Sequence, residues 1–178
     1  MSFLRSSRGQ FFSPDVLIAS SVFIFALILF FSASNSIYYQ QAIFADEKKI
    51  DETAHNVLNV LILSSGQPSN WENGSISDVN SIGLALSNNE LSVSKTLALI
   101  TALSNPSDYA IVQHKLGLGQ YSLYFRVLTL QGAPIFYAGV PVEGGLVVDN
   151  PKIKHSYKRF VIFDGSASVL EVVFSLKS

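Results

Sequence analysis

The chain has 178 residues and a formal net charge of -1, with 48% hydrophobic and only 14% charged residues. This length suits one anchor and one compact domain rather than two large domains. The near-zero charge excludes a global field that would attract nucleic acid or an anionic surface. Because the chain has no cysteine, disulfides and thiolate metal sites are excluded, and any domain must be stabilised by its own apolar core.

An uncharged run lies near the N-terminus, between Asp15 and Asp46. Its most apolar part, Val16 to Ala33, reaches roughly 27 Å as a helix, close to the thickness of a hydrocarbon core. The pattern predicts a transmembrane helix over residues 16–36, ending near the interfacial tyrosines Tyr38 and Tyr39. A cleaved secretory signal is the competing interpretation, although its apolar region is usually shorter.

Basic residues precede this helix and charges of both signs follow it. Arg5 and Arg8 lie in residues 1–15, which we interpret as a cytoplasmic leader. Because positive flanks stay on the cytoplasmic side, the C-terminal domain is predicted to be extracellular in a single-pass protein of the cell membrane.

The leader itself carries a recognisable motif. Arg8-Gly9-Gln10 is followed by Phe11-Phe12-Ser13-Pro14-Asp15 and the apolar run. This arrangement resembles the class III signal peptides of archaeal type IV pilin-like proteins.

The resemblance implies that a prepilin-peptidase-type enzyme cuts around Gly9, Gln10 and Phe11, on the cytoplasmic side of the helix. Counting from Gln10 makes Asp15 the sixth residue of the mature chain, whereas counting from Phe11 makes it the fifth. As the family's acidic residue, Asp15 would serve assembly with like subunits. Physically, its carboxylate can meet the positive end of the helix dipole or a neighbour's α-amino group, or simply help to start the helix after Pro14.

The helix is predicted to continue outward over residues 37–64 as an amphipathic stalk. No Pro or Gly interrupts this region, and its apolar residues recur at helical spacing. These residues are Ile37, Phe44, Ile50, Val57, Leu58, Leu61 and Ile62. The intervening charges, Asp46 to Glu52, are expected to form a solvated face.

Residues 65–178 are predicted to form the outer domain. Its first loop contains the tripeptide Asn73-Gly74-Ser75, an N-glycosylation acceptor that is meaningful only on an exported domain. Two helices follow, Val93 to Leu103 capped by Ser92, and Pro106 to Leu116 ended by Gly117. Five strands complete the prediction, at Tyr121 to Leu130, Ile135 to Val140, Leu146 to Val148, Tyr157 to Phe163 and Val169 to Leu176.

The fold class that follows is α+β, with a long N-terminal helix, short helices and then an antiparallel sheet. Further landmarks, in order, are similar to those of the same pilin-like proteins, and the resemblance implies a pilin-like head. They are Asn70-Trp71-Glu72, Ile82-Gly83-Leu84-Ala85, Leu91-Ser92 with Lys95, Tyr109, and Leu116-Gly117-Leu118 before Tyr121.

Catalytic chemistry has little support in the sequence. His55, His114 and His155 lie in different predicted elements, without a metal-ligand spacing. Neither a nucleophile elbow nor a phosphate loop is present. We therefore expect no enzyme activity, no metal and no cofactor.

One basic patch stands out, formed by Lys152, Lys154, Lys158 and Arg159. It is compatible with phosphate backbones or an acidic partner, but a charged edge strand that resists unwanted pairing is the favoured interpretation. We therefore do not expect nucleic acid to be a partner.

Two functions remain open. The leading hypothesis is a pilin-like structural subunit whose helix assembles with copies of itself or with other pilin-like subunits, in contact with membrane lipid. The alternative is an extracellular binding module that is tethered by the helix and does not polymerise.

Overall fold

The computed structural model describes residues 14–176, excluding the side chains of residue 36 and of residues 39–46. The chain divides into two compact units, Met1–Asp46 and Glu47–Ser178. One uninterrupted helix, α1 (Pro14–Leu63), supplies the described part of the first unit and the beginning of the second.

In the second unit, α1 contributes one side of the hydrophobic core. The buried residues are Ile50, Ala54, Val57, Leu58, Leu61 and Ile62. This spacing of three and four places them on one helix face and confirms the predicted stripe from Ile50 onward. Ile37 is exposed, and the Phe44 side chain lies outside the described set. The globular unit begins at Glu47, within residues 37–64 that we interpret as a stalk. From Ile50 onward, α1 is therefore a core element of this unit.

Two further helices follow the predicted caps closely. In α2 (Val93–Ser104), the Ser92 hydroxyl accepts a hydrogen bond from the Lys95 amide; α3 (Pro106–Lys115) has Pro106 in its first turn. Gly117, just beyond α3, has a φ of +66°, a backbone conformation that favours glycine at a helix end. Both helices are confirmed within one residue of their predicted ends.

Within residues 14–176, eight strands form two sheets. They are β1 (Ala85–Ser87), β2 (Glu90–Leu91), β3 (Tyr121–Thr129), β4 (Phe136–Tyr137), β5 (Val140–Pro141), β6 (Glu143–Gly145), β7 (Ile153–Phe163) and β8 (Ser166–Leu176). The main sheet has the order β1-β2-β7-β8-β3-β6, and β4 pairs with β5 separately. Every neighbouring pair is antiparallel except β2 with β7, so the α+β class is confirmed and the sheet is mostly, rather than wholly, antiparallel.

The β7–β8 hairpin agrees with its sequence signal. Asp164 and Gly165 both have positive φ, 49° and 70°, as a two-residue turn between twisted strands requires. On β8, the predicted alternation is confirmed, because Leu170, Val172 and Phe174 are fully buried against the helices. We call this the core face of the sheet and the opposite side its outer face.

Two strand predictions were wrong. Leu146 to Val148 is not a strand, because the edge strand β6 comes earlier, over Glu143–Gly145. Its glycines permit close approach: a Cβ on Gly145 would lie 2.2 Å from the Leu123 carbonyl oxygen. The stretch from Ile135 to Val140 is not one strand either, since Ala138 and Gly139 adopt positive φ and fold it into the β4–β5 hairpin.

Candidate functional sites on the apolar helix and the globular unit

The N-terminal part of α1 has the properties of a membrane span. Pro14–Asn35 comprises 22 residues with a mean hydropathy of 2.6, and none of its apolar window is buried in protein. The helix is thus long and apolar enough to cross a bilayer. By length and composition, a single-pass anchor and a signal sequence both fit it.

Asp15 lies in the first turn of this helix and is exposed. A carboxylate at this end faces the positive pole of the helix dipole. Further along, the hydroxyls of Ser20 and Ser21 both donate to the Leu17 carbonyl oxygen, at 3.0 and 2.8 Å. These serines therefore satisfy their own polar groups within the helix and leave a surface of small side chains. The predicted processing residues Gly9, Gln10 and Phe11 lie outside the described residues.

Asn73 ends a short 3-10 helix, Trp71–Asn73, on the surface of the globular unit. Its side chain and the next two residues are exposed, and the adjacent Trp71 is buried, with its indole Nε1 donating to the Gly83 carbonyl oxygen at 2.8 Å. The acceptor tripeptide is thus presented by a turn whose base is fixed in the core. Glycosylation of Asn73 stays a prediction.

The predicted basic patch lies on and just before β7. Lys152 precedes the strand, and Lys154, Lys158 and Arg159 are exposed along it. Among the described residues, β7 has β8 along one side, and β2 pairs with it on the other side only at Ile162 and Phe163. Most of the strand therefore has one open edge, which agrees with the interpretation of lysines that discourage strand pairing.

A charged row crosses the outer face at the centre of the sheet. Arg126 on β3 and Lys158 on β7 are both register partners of Glu171 on β8. The Arg126 Nε atom lies 2.6 Å from Glu171 Oε2, and Lys158 Nζ lies 3.7 Å from Oε1. Ser156 also donates to Oε1 at 2.8 Å. Glu171 thus stays buried with partners for both oxygens.

These contacts set the protonation of the row. Burial alone would raise the pKa of Glu171, but the hydrogen bonds from Ser156 and Arg126 and the nearby positive charges lower the pKa overall. The hydrogen bond to Glu171 raises the pKa of Arg126. Sequence analysis missed this row; the detectable signal was Glu171 among alternating apolar residues of a strand.

A second polar cluster joins α1 to β7 within the globular unit. The Tyr157 hydroxyl donates to Asp51, and His155 Nδ1 lies 3.6 Å from the same carboxylate oxygen. The His55 ring packs edge-on against Tyr157 at 5.6 Å. Burial, followed by the Asp51 contact, raises the pKa of Tyr157. Asp51 is therefore part of a helix-to-sheet contact rather than merely a solvated charge.

Across residues 14–176, no group of three or more His, Asp or Glu side chains is arranged to hold a metal ion. The His55 and His155 rings both pack against the Tyr157 ring.

Comparison with known proteins gives no further guide to these sites. No protein-family model, curated protein or solved structure matches the chain.

Proposed function

We propose that the chain is a membrane-anchored, pilin-like structural subunit that assembles through its N-terminal helix into a surface filament or secretion-type complex. The observation that carries the proposal is the 22-residue apolar span, unburied within the chain, on the same uninterrupted helix that enters the core of an α+β unit. An apolar helix that is unburied in its own chain needs lipid or other helices around it.

The chemistry of the span supports association between helices. Ala19, Ser20, Ser21 and Ala26 are small residues that permit close approach of backbones in a membrane. Asp15 at the first turn supplies a charge that a neighbouring α-amino group can pair with after processing. Lipid, like subunits and a prepilin-peptidase-type enzyme are the partners that follow from this proposal.

Exchange of the span tests it. Residues 16–33 would be replaced by a polyleucine span of equal length, and Asp15→Asn would be made separately in the native span. We expect membrane attachment to persist while cross-linked multimers of the full chain are lost with polyleucine and reduced by Asp15→Asn. Lys49→Glu, an exposed change on the same helix, serves as the control. Multimers that survive the exchange would instead identify a passive tether and a binding module.

The mature N-terminus separates these functions from a secretory signal. Mass spectrometry of the native protein is expected to find an N-terminus at Gln10 or Phe11, with the span retained. A mature chain beginning after Ala33 would refute the anchor.

A further inference from the structure

The turn at Asn73 and Gly74 contains a chemically reactive pair of residues. In the full sequence, no other asparagine is followed by glycine. Glycine has no side chain, so its backbone nitrogen can approach the side-chain carbonyl carbon of the preceding asparagine. Asparagine is among the thermolabile residues of proteins. This pair is therefore open to a modification that needs no enzyme.

The modification is an intramolecular substitution followed by hydrolysis. The Gly74 backbone nitrogen loses its proton to solvent base and bonds to the Asn73 Cγ atom. The bond from Cγ to the side-chain nitrogen breaks, and this nitrogen takes up a proton and leaves as ammonia. Both residues are exposed, so water can then open the five-membered succinimide ring. The product is aspartate or isoaspartate, and a negative charge replaces a neutral amide.

The backbone of the folded turn opposes the first step. The Gly74 N–H donates to the Trp71 carbonyl oxygen at 3.1 Å, and the Asn73 N–H donates to the Asn70 carbonyl oxygen at 3.1 Å. A donated hydrogen bond stabilises the protonated form of a nitrogen, whereas the attack needs this nitrogen deprotonated and free to turn toward Cγ. The reacting peptide group is therefore held in an unreactive arrangement.

The core of the globular unit keeps this turn closed. Trp71 retains only 3% of its accessible surface, and its indole Nε1 donates to the Gly83 carbonyl oxygen at 2.8 Å. The Gly74 nitrogen becomes free only when the turn opens locally, and a buried, hydrogen-bonded indole makes such opening rare.

We infer that Asn73 is a site of spontaneous deamidation that the Trp71–Asn73 turn controls: the reaction is slow while the turn is closed and fast in chains whose turn is open. The inference does not depend on assembly through the span. It bears on the predicted glycosylation, because the product lacks the amide that would carry the sugar. A deamidated chain can no longer be glycosylated at this position, and it carries a new charge next to Glu72.

Mass spectrometry of the full-length chain tests the inference. The chain would be produced in a host that attaches no N-linked sugars, incubated at pH 8 either folded in detergent or unfolded in guanidinium chloride, and digested. We expect the peptide containing Asn73 to exchange an amide for a carboxyl group about tenfold or more faster in the unfolded chain. Asn80, which is exposed and followed by serine, is the internal control and should react more slowly than Asn73 when unfolded.

Substitutions separate the chemistry from its control by the turn. Gly74→Ala should slow the reaction about tenfold in the unfolded chain because a side chain hinders the attacking nitrogen, and the fold has room for this Cβ, whose nearest atom would lie at 3.7 Å. Trp71→Phe removes the indole donor and should accelerate the reaction severalfold in the folded chain only. Ser75→Ala removes the glycosylation acceptor but neither reacting residue, so both rates should stay within twofold.

Equal rates in the folded and unfolded chains would refute control by the turn. An unfolded chain that reacts no faster at Asn73 than at Asn80 would refute the site itself. Neither result changes what exchange of the span measures, so failure of this inference is distinguishable from failure of the proposed function.

Discussion

Glu171 shows how one buried charge is maintained on the outer face of the sheet. Arg126 and Ser156 hydrogen-bond its two oxygens, and Lys158 adds a second positive charge. Removing one charged partner of a buried ion pair leaves the other charge buried and uncompensated. The resulting loss of stability usually exceeds the net stability that the intact pair contributes. The carboxylate is therefore better understood as a group that must stay ionised than as a source of large net stability.

We predict that Glu171→Gln lowers the free energy of unfolding by about 1–3 kcal/mol at pH 7. Because the pKa of Glu171 is lowered in the folded state, its contribution is present above the unfolded pKa of about 4.3 and is lost as pH falls through the folded pKa. Urea unfolding at pH 7, 5 and 3 should show the wild-type advantage shrinking toward acid.

The exposed Glu52, paired with Lys48 at 3.8 Å, provides the matched control. Glu52→Gln should show no comparable dependence on pH. An equal loss at pH 3 and pH 7 for Glu171→Gln would contradict the role assigned to its charge.

At the scale of elements, the end of α1 is held by the segment that follows the first loop. Leu84 and Ala85 amides donate to the carbonyl oxygens of Leu61 and Ser64, at 2.9 and 3.0 Å. Lys95 Nζ donates to the Ser65 carbonyl oxygen at 2.7 Å. Carbonyl groups that the helix end leaves unpaired are thus hydrogen-bonded. The same contacts bring the backbone of Gly83 close to the backbone of Ser64.

We predict that Gly83→Ala lowers the free energy of unfolding by roughly 3 kcal/mol or more. A Cβ at this position would lie 2.1 Å from the Ser64 carbonyl oxygen, a backbone atom that cannot move without shifting the helix end. Gly74→Ala is the control, because its Cβ would meet the nearest atom at 3.7 Å. Thermal and urea unfolding should separate the two variants, and similar stabilities would argue against a tight α1 junction.

The elements also show what sequence patterns can and cannot predict. Long periodic segments and helix caps depend on residues close together in sequence. The α1 helix, the β8 strand and the Ser92 cap were confirmed as elements. β1 and β2 are too short to establish a period, and β6 depends on the contact of its glycines with the Leu123 backbone and with Ile100. Likewise, the partners of Glu171 come from two strands, β7 and β3. Arg126 on β3 is 45 residues away in sequence, so its contact with Glu171 follows from tertiary register alone.

For the whole molecule, the start of the globular unit at Glu47 is directly testable. We predict that a chain beginning at Glu47 unfolds cooperatively, whereas one beginning at Ser65 does not fold. The shorter chain lacks the buried face of α1 from Ile50 to Ile62, and each large buried side chain contributes about 1.5–3 kcal/mol against a total stability of about 5–15 kcal/mol.

Circular dichroism and the fluorescence of the buried Trp71 would monitor both truncated chains. Cooperative unfolding of the chain that begins at Ser65 would show that α1 is dispensable for the core.

The strand order has a consequence for biosynthesis. β8 lies between β7 and β3 in the sheet, yet it follows both of them along the chain. At a synthesis rate of about 5–20 residues per second, β3 is synthesised a few seconds before its principal neighbour, β8. During that interval Tyr121, Leu123 and Phe125, all buried in the finished fold, have no sheet to enter. The nascent chain is then vulnerable to aggregation, and a chaperone that shields β3 until β8 emerges would raise the yield of folded protein.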